Sequence, residues 1–150
     1  MNYHILGGLF QLMKRENIKF KEEYYKKRYP KIHKSVRIGY GVLILCRDIS
    51  IGKNSYIQRN CSLTGDIKIG DNCSIASGVN IRSEIHISPS KYKQIIKKIK
   101  IGNNVLIGCG SFIKEGVTIG DNVIIGAGSV LTKDVPNGKT FCGIAAKEYI

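Results

Sequence analysis

The 150-residue chain has no tryptophan, only three prolines and only three histidines. It contains no run of about eighteen apolar residues, so no membrane-spanning helix is predicted. The first ten residues lack the basic region that begins a secretory signal. The five cysteines are odd in number and form no Cys-x-x-Cys pair, which argues against both a disulfide framework and a zinc knuckle. These absences predict a cytoplasmic protein that holds no metal.

Basic residues are abundant and unevenly placed, and the formal net charge is +13. Residues 1–31 carry eight Lys or Arg against three Glu, and residues 88–100 carry five Lys and no acid. Such a balance is compatible with nucleic acid, a membrane surface or a phosphorylated ligand as partners, or with a solvated face that binds nothing. No nucleic-acid-binding motif accompanies the charge, so a nucleic-acid partner is not expected.

A six-residue repeat dominates residues 51–135. Its period matches neither the 3.6 of a helix nor the 2 of a half-buried strand, and hexapeptides are the signature of a parallel β-helix. The fourth position of the repeat is Asn, Asp or Gly in eleven of twelve hexads, and these residue types tolerate a left-handed backbone at a corner. Three hexads would form one triangular coil, and about five coils are predicted. The aliphatic first positions are Ile51, Ile57, Leu63, Ile69, Ile75, Ile81, Ile101, Ile107, Ile113, Ile119, Ile125 and Leu131.

The repeat divides the chain into parts. The N-terminal residues show helical spacing of apolar side chains that ends before Pro30. This helical part is expected to cover the open end of the first coil or to contact another subunit, and the alternative is an amphipathic segment on a membrane surface. One extra residue is expected to bulge near Asp48. The predicted parts are a helical cap or extension over 1–31 and a β-helix over 32–150, with an extruded loop over 88–100 and a tail over 137–150.

His86 stands where the regular pattern fails. It is the last residue of its hexad, directly before the loop, and the sixth position is predicted to point outward because its neighbours point inward. Nearby Glu84 is the one corner residue that is not Asn, Asp or Gly. Departures from a regular pattern are expected at functional sites, which makes His86 a candidate catalytic residue. His4 and His33 adjoin no break in register and are predicted to be bystanders.

Three runs of sequence carry a family resemblance. The run 75–86, IASGVNIRSEIH, ends in the histidine, and after the loop the repeats resume with IGNNVLIG at 101–108. The run 116–136 and the tail CGIAAK at 142–147 follow, with Ala145 where proline is usual. Over residues 32–150 these runs resemble the left-handed β-helix of hexapeptide-repeat acetyltransferases, in particular the sugar O-acetyltransferases of the maltose, galactoside and capsule or O-antigen types. The left hand is implied by this resemblance alone, because parallel crossovers are normally right-handed.

The resemblance implies an acetyl-CoA-dependent O-acetyltransferase of polysaccharide biosynthesis, which transfers acetyl to a hydroxyl of a sugar or glycan precursor. His86 matches the family's catalytic histidine, and a neutral histidine accepts the hydroxyl proton at pH 7. The resemblance also implies a homotrimer whose active sites are shared between neighbours. One outward apolar column is predicted to be buried by that contact, and it contains Leu106, Phe112, Ile124 and Val130.

The resemblance assigns binding residues as well. Small corner residues allow the thin pantetheine arm to approach the backbone, and lysine suits phosphate. Whether Glu84 orients the imidazole of His86 or is merely an exposed acid stays open. The implied coenzyme-binding residues are Gly108 and Cys109 beside the thioester, Ala127, Thr132 and Lys133 along pantetheine and nucleotide, and Lys147 near a phosphate. The implied acceptor-binding residues are Asn60 and Glu84.

Two other functions remain open at this stage. An N-acetyltransferase acting on an amino-sugar nucleotide would need less help from a base, so replacing His86 would cost little. A non-catalytic β-helix scaffold or membrane-surface adaptor, using the basic N-terminus, would bind no coenzyme A. A γ-class carbonic anhydrase has the same fold but needs a histidine-rich metal site, and three histidines, two of them outside the regular coils, do not supply one.

Overall fold

The structure is a computed structural model that describes residues 17–86 and 94–149. Within them the chain forms one helix, α1 over 17–28, and sixteen strands. The strands are β1 Arg37–Ile38, β2 Leu43–Ile51, β3 Tyr56–Ile57, β4 Ser62–Ile69, β5 Ser74–Ile75, β6 Asn80–Arg82, β7 Glu84–His86, β8 Gln94–Ile96, β9 Ile99–Ile101, β10 Leu106–Ile107, β11 Phe112–Ile113, β12 Thr118–Ile119, β13 Ile124–Ile125, β14 Val130–Leu131, β15 Thr140–Cys142 and β16 Lys147–Glu148.

Parallel strands stack as the three faces of a prism. The first face contains β1, β3, β5, β10, β13 and β15 in order along the axis. The second face contains the first halves of β2 and β4, followed by β6, β11 and β14, and the third contains their second halves, followed by β9 and β12. Ile57 lies opposite Ile75, eighteen positions later, so one coil takes three hexads. The architecture is the predicted left-handed parallel β-helix of about five coils.

The core is a narrow tube of inward-pointing aliphatic side chains. Along each strand buried and exposed residues alternate, and the register places Ile above Ile in successive coils, as with Ile67 and Ile99. Successive layers lie about 4.8 Å apart, so every inner layer packs against two others. The predicted bulge is confirmed, because the register of β2 against β4 shifts between Cys46 and Asp48. Burying each isoleucine contributes about 1.5–3 kcal/mol.

Two ladders of side chains build the corner between the third and first faces. In the first ladder, the amide nitrogen of Asn54, Asn72 and Asn104 donates to the amide oxygen one coil on, at 3.3, 3.2 and 3.0 Å. These asparagines have φ values of 55–57°, the left-handed backbone that the repeat predicted. In the second ladder, the side-chain oxygens of Asp71, Asn103, Asp121 and Asn137 accept main-chain N–H groups from the preceding coil.

The second ladder explains the glycine of the recurrent Ile-Gly-x-Asn motif. A Cβ placed on Gly102 would lie 2.8 Å from the carbonyl carbon of Gly120 and would collide with the carboxylate of Asp121. Gly52, Gly70 and Gly120 have equivalent close contacts. The glycine is therefore required by the side chain stacked on it.

The register also shows where the chain leaves the prism. Arg82 pairs with Thr64, and Ile99 pairs with Ile67, so the inserted residues are 84–97 rather than the predicted 88–100. β7 and β8 form an antiparallel hairpin in this insertion, separate from the faces. The repeat placed Glu84 and His86 on the third coil, and that placement is wrong. The Glu-Ile-His sequence continues the hexad pattern by coincidence, whereas Ile99 fills the inward position that the repeat gave to Ile85.

Helix α1 packs against the edge strand β2. Tyr25 lies in the helix and Tyr29 directly follows it, and both side chains are buried. The Tyr25 hydroxyl donates to the Val42 carbonyl at 3.1 Å and accepts from the Ile44 N–H at 3.3 Å. The Tyr29 hydroxyl donates to the Ile44 carbonyl at 3.3 Å. Over residues 17–86 and 94–149 no helix is long and apolar enough to cross a membrane. The apolar residues of 5–13 lie outside the described residues.

Replacing Tyr25 and Tyr29 together by phenylalanine is expected to lower the free energy of unfolding by about 1–3 kcal/mol, because edge groups of β2 lose their partners. Urea denaturation followed by circular dichroism measures the change. The matched control is Tyr24→Phe, which removes a hydroxyl from an exposed side chain of the same helix. Equal stability of the double variant and the control would show that these hydrogen bonds do not hold α1 in place.

Candidate active site

The implied site residues fall on the two corners that flank the second face. The corner between the first and second faces, called here the first corner, carries Asn60, Gly108, Cys109 and Ala127. The corner between the second and third faces, the second corner, carries Thr132 and Lys133 and is the place where the hairpin with Glu84 and His86 leaves the prism. Within one chain the second face separates these two groups.

Main-chain hydrogen bonds align the first corner along the axis. Gly78 N–H donates to the Arg59 carbonyl at 3.0 Å, and Gly110 N–H donates to the Ser77 carbonyl at 3.0 Å. Gly128 N–H continues the column by donating to the Cys109 carbonyl at 2.8 Å. Arg59, Ser77, Cys109 and Ala127 therefore lie above one another on successive coils.

Gly108 and Asn60 have packing reasons for their places on this corner. A Cβ on Gly108 would lie 2.7 Å from Ala127 Cα, so glycine permits the close approach of the two coils. Asn60 has a φ of 58°, and its side-chain oxygen lies against Gly41 of the preceding coil. Cys109 and Ala127 are exposed, so the column presents thin, accessible backbone to the outside.

Buried Ser83 anchors the hairpin to the second corner. Its hydroxyl accepts the Asp66 N–H at 2.5 Å, and its carbonyl accepts the Lys97 N–H at 2.9 Å where the chain returns. Lys97 in turn accepts the Gly116 N–H at 3.0 Å, so the insertion is tied to the coils on both sides. Glu84 is half-buried. The structure describes His86 by its main chain only, in register with Gln94 of β8.

The tail folds over the last coil, at the end of the first corner. β16 pairs antiparallel with β15, which places exposed Lys147 opposite Cys142, and a Cβ on Gly126 would collide with that cysteine. Thr132 and Lys133 are exposed on the second corner, and the Lys133 ammonium lies 5.8 Å from the centre of the Phe141 ring. The candidate cations for phosphate thus occupy the same end of the prism on different corners.

The apolar residues predicted as one column form two. Leu106 pairs with Ile124 on the first face, and Phe112 pairs with Val130 on the second face. The reason is geometric, since six residues advance the chain to the next face and eighteen return it to the same face. The two columns therefore flank the first corner, one on each side of Cys109.

Cysteine environments differ sharply. Burial raises the pKa of the thiols of Cys46, Cys61 and Cys73, that of Cys46 to about 12 with smaller contributions from nearby carboxylates. Cys109 is exposed and Cys142 is half-buried. In the described part of the chain, no three His, Cys, Asp or Glu side chains are grouped to hold a metal ion.

Sequence reasoning missed a cavity of about 520 Å³ between α1 and the first two coils. Its wall beside the first corner contains Arg37, Tyr40, Tyr56 and Arg59. The available signal was the pair of segments Arg-x-x-Tyr and Tyr-x-x-Arg, nineteen residues apart, which is one coil plus the bulge. These residues occupy outward positions and leave the six-residue period unchanged, so they do not stand out as departures from the pattern.

The family model of the bacterial transferase hexapeptide (six repeats) matches residues 48–83 and 98–133. Its gap coincides with the hairpin insertion. A solved galactoside acetyltransferase in complex with coenzyme A is 30% identical, with a TM-score of 0.70 over 89% of this chain and 70% of that one. The chain belongs to the bacterial hexapeptide-repeat transferase family.

Two further proteins are similar to the chain over much of its length. The maltose O-acetyltransferase from Clostridium difficile 630 is 29% identical, with a TM-score of 0.69 over 92% of this chain and 86% of that chain. Nodulation protein L of Rhizobium meliloti (strain 1021) is 42% identical over 106 residues, which are 67% of this chain and 58% of the relative. The chain spans little more than half of the length of this curated relative.

Proposed function

We propose that this protein transfers the acetyl group of acetyl-CoA to a hydroxyl of a sugar or glycan precursor. The observation that supports this most is the likeness, over nearly the whole chain, to a galactoside acetyltransferase that binds coenzyme A. The likeness to a maltose O-acetyltransferase favours a hydroxyl over an amine as the acceptor.

The coenzyme is proposed to lie along the first corner. Cys109 and Ala127 offer exposed backbone one coil apart, which suits a narrow pantetheine arm. Lys147 at the end of this corner is assigned to the nucleotide phosphates because its ammonium is exposed, and ammonium groups bind phosphate strongly. Gly108 keeps this wall thin, and Thr132 and Lys133 are assigned to the part of the coenzyme that reaches the second corner.

A homotrimer would unite the two corners. The half-exposed Leu106 and Ile124 and the columns on the adjoining face form apolar strips on both sides of the first corner. Covering these strips with neighbouring copies brings the first corner of one subunit against the second corner of the next. His86 of one copy would then meet Cys109 of its neighbour, which one chain alone does not achieve.

The proposed reaction is attack of the acceptor oxygen on the thioester carbonyl. His86 takes the hydroxyl proton as the carbon–oxygen bond forms. The carbon–sulfur bond then breaks, and coenzyme A leaves as a thiolate that takes the proton back from His86. The main-chain N–H of Cys109 is assigned to the oxyanion, since it donates to no acceptor within residues 17–86 and 94–149. Asn60 and Glu84 are assigned to the acceptor and to the surroundings of His86.

The test is release of free coenzyme A from acetyl-CoA in the presence of a panel of sugars, with the product identified by mass spectrometry. We expect coenzyme release that depends on the sugar and a product that carries one ester-linked acetyl group. An amide-linked product from amino sugars alone would favour N-acetylation. The absence of both transfer and coenzyme binding would leave a scaffold as the better explanation.

Coenzyme A is expected to protect Cys109 from maleimide labelling. In the native Cys142→Ala variant we expect one fast label, on Cys109, because the other three thiols are buried and their pKa values are raised by that burial. Mass spectrometry after timed labelling measures the rate. Adenosine diphosphate is the control ligand, since it has no pantetheine arm, and equal rates with and without coenzyme would contradict the proposed donor site.

A further inference from the structure

The cavity between α1 and the first two coils has an ordered arrangement of arginines and tyrosines. Arg37 and Tyr56 face each other on adjacent coils of the first face, with the guanidinium carbon 4.6 Å from the centre of the ring. Tyr40 and Arg59 occupy equivalent places on adjacent coils of the first corner, where the Asn60 N–H donates to the Tyr40 carbonyl at 2.8 Å, and both line the cavity. Two cations and two aromatic rings thus alternate over one small wall.

No described acid pairs with the positive charge of this wall. Neither Arg37 nor Arg59 forms an ion pair with any residue of the described chain. Among the described lining residues the one acid is Glu22, and it is paired with Lys26 of the same helix. Arg37 and Arg59 are both exposed, and both line the cavity.

The cavity is connected to the proposed donor site. Ser77 lines it, and the Ser77 carbonyl accepts the Gly110 N–H, so the Cys109 coil is the next along the first corner. One coil spans about 4.8 Å of the axis. Cys109 lies two coils from Arg59, so a ligand held at Arg59 would extend about 10 Å along the first corner to reach it, a distance that a sugar with an anionic substituent can span.

We propose that this cavity binds the acceptor and that the acceptor is a sugar carrying an anionic group, a carboxylate or a phosphate, held by Arg37 and Arg59. Guanidinium groups bind both anions through paired N–H bonds. Tyrosine adds a flat apolar surface with a hydroxyl, which suits a sugar ring. The volume falls in the usual range for small-molecule sites. This inference rests on the proposed acetyl transfer, since it names the acceptor class of that same reaction.

The test measures binding without turnover. Ligand-observed NMR titrations with glucose, glucuronate and glucose 6-phosphate are carried out on the full chain in the absence of acetyl-CoA. We expect at least one of the two anions to bind about 10-fold or more tightly than glucose, and comparing the two anions separates carboxylate from phosphate. In Arg37→Gln/Arg59→Gln the affinity for that anion should fall about 10- to 100-fold while glucose binding stays the same.

The matched control is Lys68→Gln/Lys100→Gln, which removes two positive charges from the third face, away from the cavity. It should leave anion affinity unchanged. Arg59→Lys keeps the charge but loses the paired geometry, and it should lie between wild type and the double arginine variant. Circular-dichroism melting checks that each variant is folded.

Equal binding of all three sugars, or unchanged anion affinity in the arginine variants, would overturn the inference. Efficient acetylation of neutral sugars without anion binding would also overturn the inference, but it would support the proposed acetyl transfer. If the wild type binds the anion, the arginine variants do not, and no sugar is acetylated, the proposed reaction is wrong and the cavity is still a site for an anionic sugar.

Discussion

Replacing His86 by alanine is expected to lower kcat for acetyl transfer to a sugar hydroxyl by about 10²- to 10⁴-fold, the usual contribution of a positioned general base. A hydroxyl is a weak nucleophile until its proton is removed, so the loss should fall on the chemical step. Steady-state kinetics of coenzyme A release measure it. Coenzyme binding, measured by calorimetry, should be unchanged, because the proposed donor contacts lie on the first corner.

The matched control for this prediction is His33→Ala. His33 lies on another corner, where its Nδ1 is 2.8 Å from the Ser35 hydroxyl oxygen. Its replacement should leave transfer near the wild-type rate. If His86→Ala acetylates sugar hydroxyls as fast as the wild type, His86 has no role as the base. A loss confined to hydroxyl acceptors, with amino sugars still acetylated, would support the assigned proton transfer most directly, because an amine needs less help from a base.

Replacing Gly102 by alanine is expected to lower the free energy of unfolding by about 2–5 kcal/mol. The added methyl group meets the Gly120 carbonyl of the next coil and displaces the Asp121 carboxylate, whose oxygen accepts the Asn103 N–H at 2.6 Å. Overpacking costs about 1–3 kcal/mol, and the orphaned N–H adds about 1–3 kcal/mol. Urea denaturation followed by circular dichroism measures the loss.

The control is Gly138→Asn, at a corner with open space around the added atoms and a φ of 72°. Asparagine occupies similar backbone at five other corners, so we expect a change within about 0.5 kcal/mol. This pair separates the two uses of glycine in the fold, close approach at Gly102 and backbone geometry at Gly138. Equal losses in both variants would show that stacking of side chains over Gly102 does not explain its presence.

The regular coils were predictable from sequence because one short period determines several structural features of each hexad. An aliphatic residue every six positions determines the inward side chain, the strand and the face, and the step of seven from Ile44 to Ile51 revealed the bulge. Because the repeat is a local pattern, it could not predict which hexads belong to the coils and which to an insertion. Ile85 imitates an inward residue, and only the pairing of Ile99 with Ile67 shows that the coil skips over the hairpin.

The candidate site was predictable only where it adjoins the repeat. Cys109 and Ala127 fall on one corner because they occupy equivalent positions eighteen residues apart, and Gly108 directly precedes Cys109 there. The Arg37–Tyr56 pairing needs knowledge of which coils are adjacent and of where α1 packs. That packing depends on two tyrosine hydroxyls reaching main-chain groups nearly twenty residues away, which no local pattern indicates.

The hydrogen bonds from the two tyrosine hydroxyls to the main chain at the start of β2 have a consequence for assembly. A stack of parallel strands ends in a row of main-chain groups that another chain can extend, and solenoids are exposed to end-to-end fibre growth for that reason. Here Tyr25 and Tyr29 bind main-chain groups of Val42 and Ile44 at one end, and β16 folds back beside β15 near the other. With these groups occupied, end-to-end extension of the stack is disfavoured, and the trimer proposed above would form through the flat sides of the prism as a closed ring.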